Sequence, residues 1–204
     1  MRSARKGGIS ARGAFSRIVK PKAKPIWMMV IPVKIAAVST LSTVPMVYGI
    51  RHADNLRAEL LLLSREDAFS AFGQGRVDAA LVSVADAARL EGAKVVTGFC
   101  IAPAEGSGSV LADEWGTDAD APVNAVWVVR SDAAPELVDA LEEAVTVGVE
   151  RIWEALVESE FDATAESYGH LTTNIDYLLD AKKHKAMETY WKRLKKAVSH
   201  ANPG

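Results

Sequence analysis

The sequence is poor in the residues that build covalent and metallic scaffolds. It holds one cysteine, Cys100, in 204 residues, which excludes a disulfide framework and any multi-cysteine zinc or iron–sulfur centre. Its four histidines, His52, His170, His184 and His200, are scattered, so no metal site is expected. No apolar run approaches the length of about 18 residues that a membrane-crossing helix needs, and no membrane partner is expected. No Gly-x-Ser-x-Gly elbow and no Gly-rich phosphate loop occurs; Gly73-Gln74-Gly75 reads as the end of a helix, not its beginning. Negative charge is missing from the start of the chain: the first acidic residue is Asp54, and residues 1–34 carry nine Lys or Arg. The rest holds 15 basic and 26 acidic residues, a body that repels nucleic acid unless the basic arm intervenes, so no nucleic-acid partner is expected.

What remains is a globular composition, 49% hydrophobic and 25% charged, at a length suited to one domain. Residues 1–33 are basic and lack hydrophobic period until 26–31; they read as a disordered leader. The apolar run 26–31 is short, is stopped by Pro32 and lacks a clean small-residue cleavage site, so a cytoplasmic location is expected. From residue 34 onward, short apolar runs alternate with helical periods. Strands are predicted at 34–39, 59–63, 77–83, 94–102 and 123–130. Helices are predicted at 43–50, from the Ser64 cap to Gly73 with Phe69 and Phe72 inward, and at 85–90. A long helix follows, capped by Ser131 or Asp132, with Leu137, Leu141, Val145, Val149, Ile152 and Leu156 on one face. A last amphipathic helix spans 180–198, with Met187, Trp191, Leu194 and Val198 inward. Strands without alternation, separated by helices, predict a single three-layer α/β lobe over 34–199 with a mostly parallel sheet.

The densest chemistry lies in Ser39-Thr40-Leu41-Ser42-Thr43, four hydroxyls in five residues between a strand and a helix. Helix N-termini present free N–H groups and partial positive charge, so hydroxyls there hold a carboxylate or phosphate without adding fixed charge. Plain N-capping is the other reading, and it needs one hydroxyl, not four. Ser64, Ser83 and Ser109 each fall after a strand; singly they are cap or turn residues, and jointly they form a neutral rim at the sheet's carboxyl edge. The acidic group Asp113, Glu114, Asp118 and Asp120 has the charge to bind a cation, but a solvated loop is the better reading. Cys100 sits mid-strand and reads as packing.

Residues 37–49, AVSTLSTVPMVYG, resemble the opening motif of the chorismate dehydratase family, approximately A-V-S-Y-L-N-T-x-P-L-x-Y-G. Residues 64–81 (SREDAFSAFGQGRVDAAL) are similar to the family's S-x-x-A-x-x-L-x-x-G-x-x-D-x-A-L, and 98–110 (GFCIAPAEGSGSV) to its G-x-C-I-A…S-V. Asp113-Glu114-Trp115, residues 122–130 and the tail from 168 to 177 with its Lys-rich helix resemble later segments. The resemblance implies a type II periplasmic-binding-protein-like fold in the cytoplasm. It implies a carbon–oxygen lyase of menaquinone biosynthesis by the futalosine pathway, eliminating water from chorismate to give 3-[(1-carboxyvinyl)oxy]benzoate, with no cofactor.

Carried over position by position, the family's catalytic Asn falls on Ser42, its preceding aromatic on Thr40 and its functional serine on Ser109. Ser39, Thr40, Thr43, Ser64 and Ser83 become the substrate-binding set. A serine at 42 keeps one donor and loses the amide's second bond and its reach. The family's two lobes need about 250 residues; here most of the second lobe is absent, leaving a remnant at about 103–122. No side-chain base is evident, so a substrate carboxylate takes the proton and preorganised donors carry the reaction. The alternative is an inactive or one-lobed protein that binds a small carboxylate. A homodimer formed through the Val/Trp-rich strand 123–130 is one way to replace the missing wall.

Overall fold

The computed structural model describes residues 32–107 and 110–201. Most of the basic leader, Ser109 and the side chain of Val198 lie outside the described residues.

The first apolar run forms β1 (Val33–Val38), whose last four residues are buried. A tight 3-10 turn at Leu41–Thr43 leads into α1 (Val44–Arg51), with Pro45 in the first turn, where its missing N–H is not needed. β2 (Ala58–Leu63) ends at Ser64, whose Oγ accepts the Asp67 N–H at 3.1 Å and starts α2 (Arg65–Gly73). β3 (Ala79–Ser83) is buried throughout and passes straight into α3 (Val84–Ala87), capped in the same way by Ser83. β4 (Ala93–Pro103) follows, then α4 (Val110–Trp115) and β5 (Ala125–Arg130). The chain closes with α5 (Pro135–Glu150), α6 (Ile152–Val157), α7 (Ala165–Gly169), a π turn at His170–Asn174, β6 (Ile175–Leu178) and α8 (Ala181–Ala201).

The six strands form one sheet in the order β2-β1-β3-β5-β4-β6. β1 pairs in parallel with β2 and β3, but β3–β5, β5–β4 and β4–β6 are antiparallel. The sheet is therefore mixed, which corrects the expectation of a mostly parallel one. β5 returns between β3 and β4 and is buried on both faces, so its unbroken apolar run gives no sign of direction. β6 is an addition to the expected strands; its four residues are too few to show a period.

Two further corrections concern the long helix. Its cap is Ala134 in extended conformation, not Ser131 or Asp132, because the residue before a proline avoids the helical region and Pro135 takes the first helical place. The helix also breaks at Arg151 (φ −125°, ψ 46°), which separates α5 from α6 although the apolar face reads through. Of the predicted inward residues, Leu137, Leu141, Val145, Leu156 and Met187 are buried, while Phe69, Trp191 and Leu194 are half-buried. Trp115 and Trp127 are fully buried, whereas Trp153 stands 47% exposed.

α1 is fixed from behind by α5. A Cβ on Gly49 would lie 1.9 Å from the Ala144 carbonyl oxygen, and one on Gly148 would lie 1.8 Å from that of Pro45. Only glycine permits this backbone-to-backbone approach. It holds the start of α1, and the hydroxyl loop before it, against the body of the fold.

Candidate functional site

β1 to β4 all run in one direction, so their carboxyl ends meet along one edge of the sheet. The loop 39–43 sits at that edge, between the end of β1 and the start of α1. Ser42 is wholly buried there and gathers three elements. Its hydroxyl donates to a Glu114 carboxylate oxygen and accepts from Trp115 Nε1 at 3.3 Å. Thr40 Oγ1 lies 3.1 Å away. With the one Ser42 hydroxyl proton on Glu114, Thr40 is the donor in that contact. The Ser42 carbonyl accepts the Tyr177 hydroxyl at 3.0 Å. Burial, and then the nearby Glu114 charge, raise the Tyr177 phenol well above its ordinary range.

Thr43 serves the turn itself. Its Oγ1 lies 2.7 Å from the Val38 carbonyl oxygen and 2.8 Å from that of Thr40, and it accepts the Thr40 N–H at 3.3 Å. Ser39 points outward and donates to Glu160 Oε1 at 2.5 Å.

Beside the loop lies a cleft of about 370 Å³. One wall is the face of α1 carrying Val44, Val47, Tyr48 and Arg51, spaced at one helix face; the other is the end of α6 and the turn through Glu158, Ser159, Glu160 and Phe161. Ser39, Thr40 and Thr43 line its inner end. His52 Nε2 lies 2.8 Å from Glu158 Oε2 across the cleft, and its ring stacks on Tyr48 with centroids 4.2 Å apart. The cleft thus offers hydroxyls, two aromatic rings, one arginine and an imidazole–carboxylate pair.

Ser64 and Ser83 are bonded locally. Ser64 and Ser83 donate to Asp67 and Asp86, each at 2.8 Å, while capping their helices. Ser83 lines a second cleft of about 480 Å³ with Arg65, Phe69, Asp86, Arg89 and Gly116. Gly116, at φ +57°, leaves the room that the Arg65 guanidinium fills, 1.9 Å from where a Cβ would be. So Thr40, Ser42 and Thr43 are joined by hydrogen bonds within one turn beside Ser39, while the Ser64 and Ser83 hydroxyls are committed to their own caps, Ser64 at the same sheet edge, where β1 and β2 run in parallel with Val38 opposite Leu63.

α4 adjoins the hydroxyl loop through Glu114 and Trp115 and the second cleft through Gly116, a role not evident in the sequence. Glu114 is not in a solvated loop: it reaches Ser42. Asp118 accepts the Tyr190 hydroxyl at 3.2 Å, and Asp120 is paired with Arg193, so these two acids anchor α8. The one hint was that Asp113-Glu114-Trp115 belongs to the recurring motif order. Cys100 is buried packing, as expected; burial above all pushes its thiol up to about 12. Among the described residues, no group of three His, Cys, Asp or Glu is placed to hold a metal ion. Nor is any described helix long and apolar enough to cross a membrane.

Chemically, the site holds carboxylates with neutral donors. Ser42 and Glu114 have the form of a hydroxyl–base pair, but with Ser42 wholly buried the pair faces no substrate in this conformation.

No protein-family model and no curated protein matches the chain. Solved structures do. Protein AF1704 from Archaeoglobus fulgidus matches at a TM-score of 0.63 and 11% identity, over 82% of this chain and 98% of that one. An ABC transporter from Parabacteroides distasonis matches at 0.53 and 12% identity, over 81% and 92%. The Candida albicans CA3427 gene product, described as exhibiting the generic periplasmic binding protein structural fold, matches at 0.52 and 13% identity, over 78% and 90%. The chain has a periplasmic-binding-protein-like α/β fold.

Proposed function

We propose that the protein binds a small carboxylate at the 39–43 loop and the cleft beside it. One observation carries this reading: two hydroxyls of the loop each already hold a carboxylate of the chain itself, Ser39 that of Glu160 and Ser42 that of Glu114. Neutral donors at the start of α1 hold an anion without needing a counter-charge of their own. The cleft adds Tyr48 and Phe161 for a ring and Arg51 for a second acidic group.

Chorismate, a cyclic dicarboxylate, is the ligand that the motif resemblance implies, and loss of water from it is the corresponding reaction in a cytoplasmic setting. Of the two readings, binding is the better supported, because the residue aligned with the family's catalytic Asn is buried under α4. Residues 34–199 then serve as one lobe, with 103–122 standing where a second lobe would be inserted.

The experiment is a calorimetric titration of the purified chain with chorismate and with isophthalate, together with an ultraviolet assay for the aromatic product. Heat of binding that disappears in Ser39→Ala, without product, supports the binder. Product formation above buffer supports the dehydratase. Neither heat nor product sinks both.

A further inference from the structure

The seat that Ser42 offers is filled. The Glu114 carboxylate takes the Ser42 hydroxyl, and Trp115, the next residue, donates its indole N–H to the same oxygen at 3.3 Å. Two consecutive side chains of a six-residue helix thus close over one hydroxyl. Trp115 is 1% exposed, so α4 is driven into this position by burial of a large ring as well as by the charge. Tyr177 braces the loop from the other side through the Ser42 carbonyl. A carboxylate on a buried hydroxyl, at the carboxyl edge of an open α/β sheet, has the chemistry of a bound acidic ligand.

We infer that α4 is an internal occupant of the binding seat. Glu114 stands in for the ligand carboxylate, and an incoming ligand must displace it. This inference rests on the carboxylate-binding reading above and adds its regulation: the protein is closed to ligand while Glu114 is seated. The two events share one hydroxyl and one proton. Ser42 has a single O–H, so it donates to Glu114 or to a ligand oxygen and not to both. Competition for it lowers apparent affinity by the fraction of chains whose seat is free. Occupation of the outer position by Glu160 on Ser39 does not exclude a ligand in the same way, because Ser39 is exposed and water can take the place of its partner.

The test uses Glu114→Gln, which keeps the shape and removes the charge, with Glu114→Asp as a second variant that withdraws the carboxylate. Chorismate and isophthalate are titrated into wild type and both variants, and amide hydrogen exchange of residues 111–117 is followed with and without ligand. The expected result is binding about tenfold or more tighter in both variants, from loss of one charge-assisted hydrogen bond. In wild type, ligand speeds exchange in α4, the reverse of ordinary protection. Equal affinity in all three proteins, with α4 still protected when ligand is bound, overturns the internal occupant and leaves the binding reading standing. Absence of binding in all three overturns both.

Discussion

Gly49 and Gly148 face each other across α1 and α5 with no room for a side chain: the carbonyl oxygens of Ala144 and Pro45 lie 1.9 Å and 1.8 Å from where their Cβ atoms would be. A methyl at either position forces two backbones apart. Gly148→Ala is expected to lower stability by roughly 3 kcal/mol or more, read from the denaturant midpoint, because packed helices cannot yield locally. Since α1 carries the hydroxyl loop, a folded Gly148→Ala chain also loses ligand affinity. A midpoint unchanged from wild type contradicts the close approach.

Tyr177 and the Ser42 carbonyl form a buried hydrogen bond of 3.0 Å. Tyr177→Phe leaves that carbonyl without its donor, and a loss of about 1–2 kcal/mol is expected. The pH dependence has a definite sign. The phenol is raised in the fold above its ordinary 10.0 by burial and then by Glu114. Its contribution is whole below the unfolded value and fades as the pH climbs past it, when the unfolded chain releases a proton that the fold retains. Cys100 acts in the same sense from 9.0 upward. The steepness of alkaline unfolding should therefore shrink in Tyr177→Phe but persist in part. Identical alkaline profiles for the two proteins contradict the assignment.

Ser64 and Ser83 are caps. Ser64→Ala is expected to cost about 1 kcal/mol through loss of the bond from the Asp67 N–H. Ligand affinity should stay at the wild-type level, because the Ser64 hydroxyl is spent on Asp67 and Ser64 does not line the 370 Å³ cleft. A fall in affinity in a variant that remains fully folded at the assay temperature returns Ser64 to the ligand site.

Lys183 fastens the last strand. Its ammonium donates to Asp176 at 2.6 Å and to the Leu178 carbonyl at 2.8 Å. Partial burial pushes the ammonium down, but the bond to Asp176 and the neighbouring acids outweigh it, and the net shift is upward. Its stabilisation is whole below the ordinary value of 10.5 and is lost as the pH rises through the folded one. Lys183→Met is expected to cost about 1 kcal/mol at neutral pH, with Asp176 still partly solvated, and to speed amide exchange at 175–178 first. Uniform exchange across the sheet is the result that refutes this.

The strands and most helices were legible because their apolar runs and caps are local. Ser64 is followed by Asp67, which marks where α2 begins, whereas Ser131 and Asp132 offered false caps ahead of the true start of α5 at Pro135. Strand direction was not legible: β5 is apolar on both faces whichever way it runs. The break at Arg151 was hidden because Leu156 continues the apolar face of α5 through it. At the site, the hydroxyl loop was visible in four letters, 39, 40, 42 and 43. Its partners were not, since Glu114 and Glu160 lie 72 and 121 residues away from Ser42 and Ser39, and no local pattern joins them.

The clamp at Lys183 has a consequence for chains that meet in solution. β6 is the outermost strand on its side of the sheet, only four residues long, and Leu178 stands 57% exposed there. Such a border invites a visiting strand to add itself. Here the Leu178 carbonyl is already taken by Lys183, and its N–H by Asp176 at 2.9 Å. A newcomer finds both Leu178 groups occupied and a positive charge beside them, so a strand is discouraged from adding on this side of the sheet.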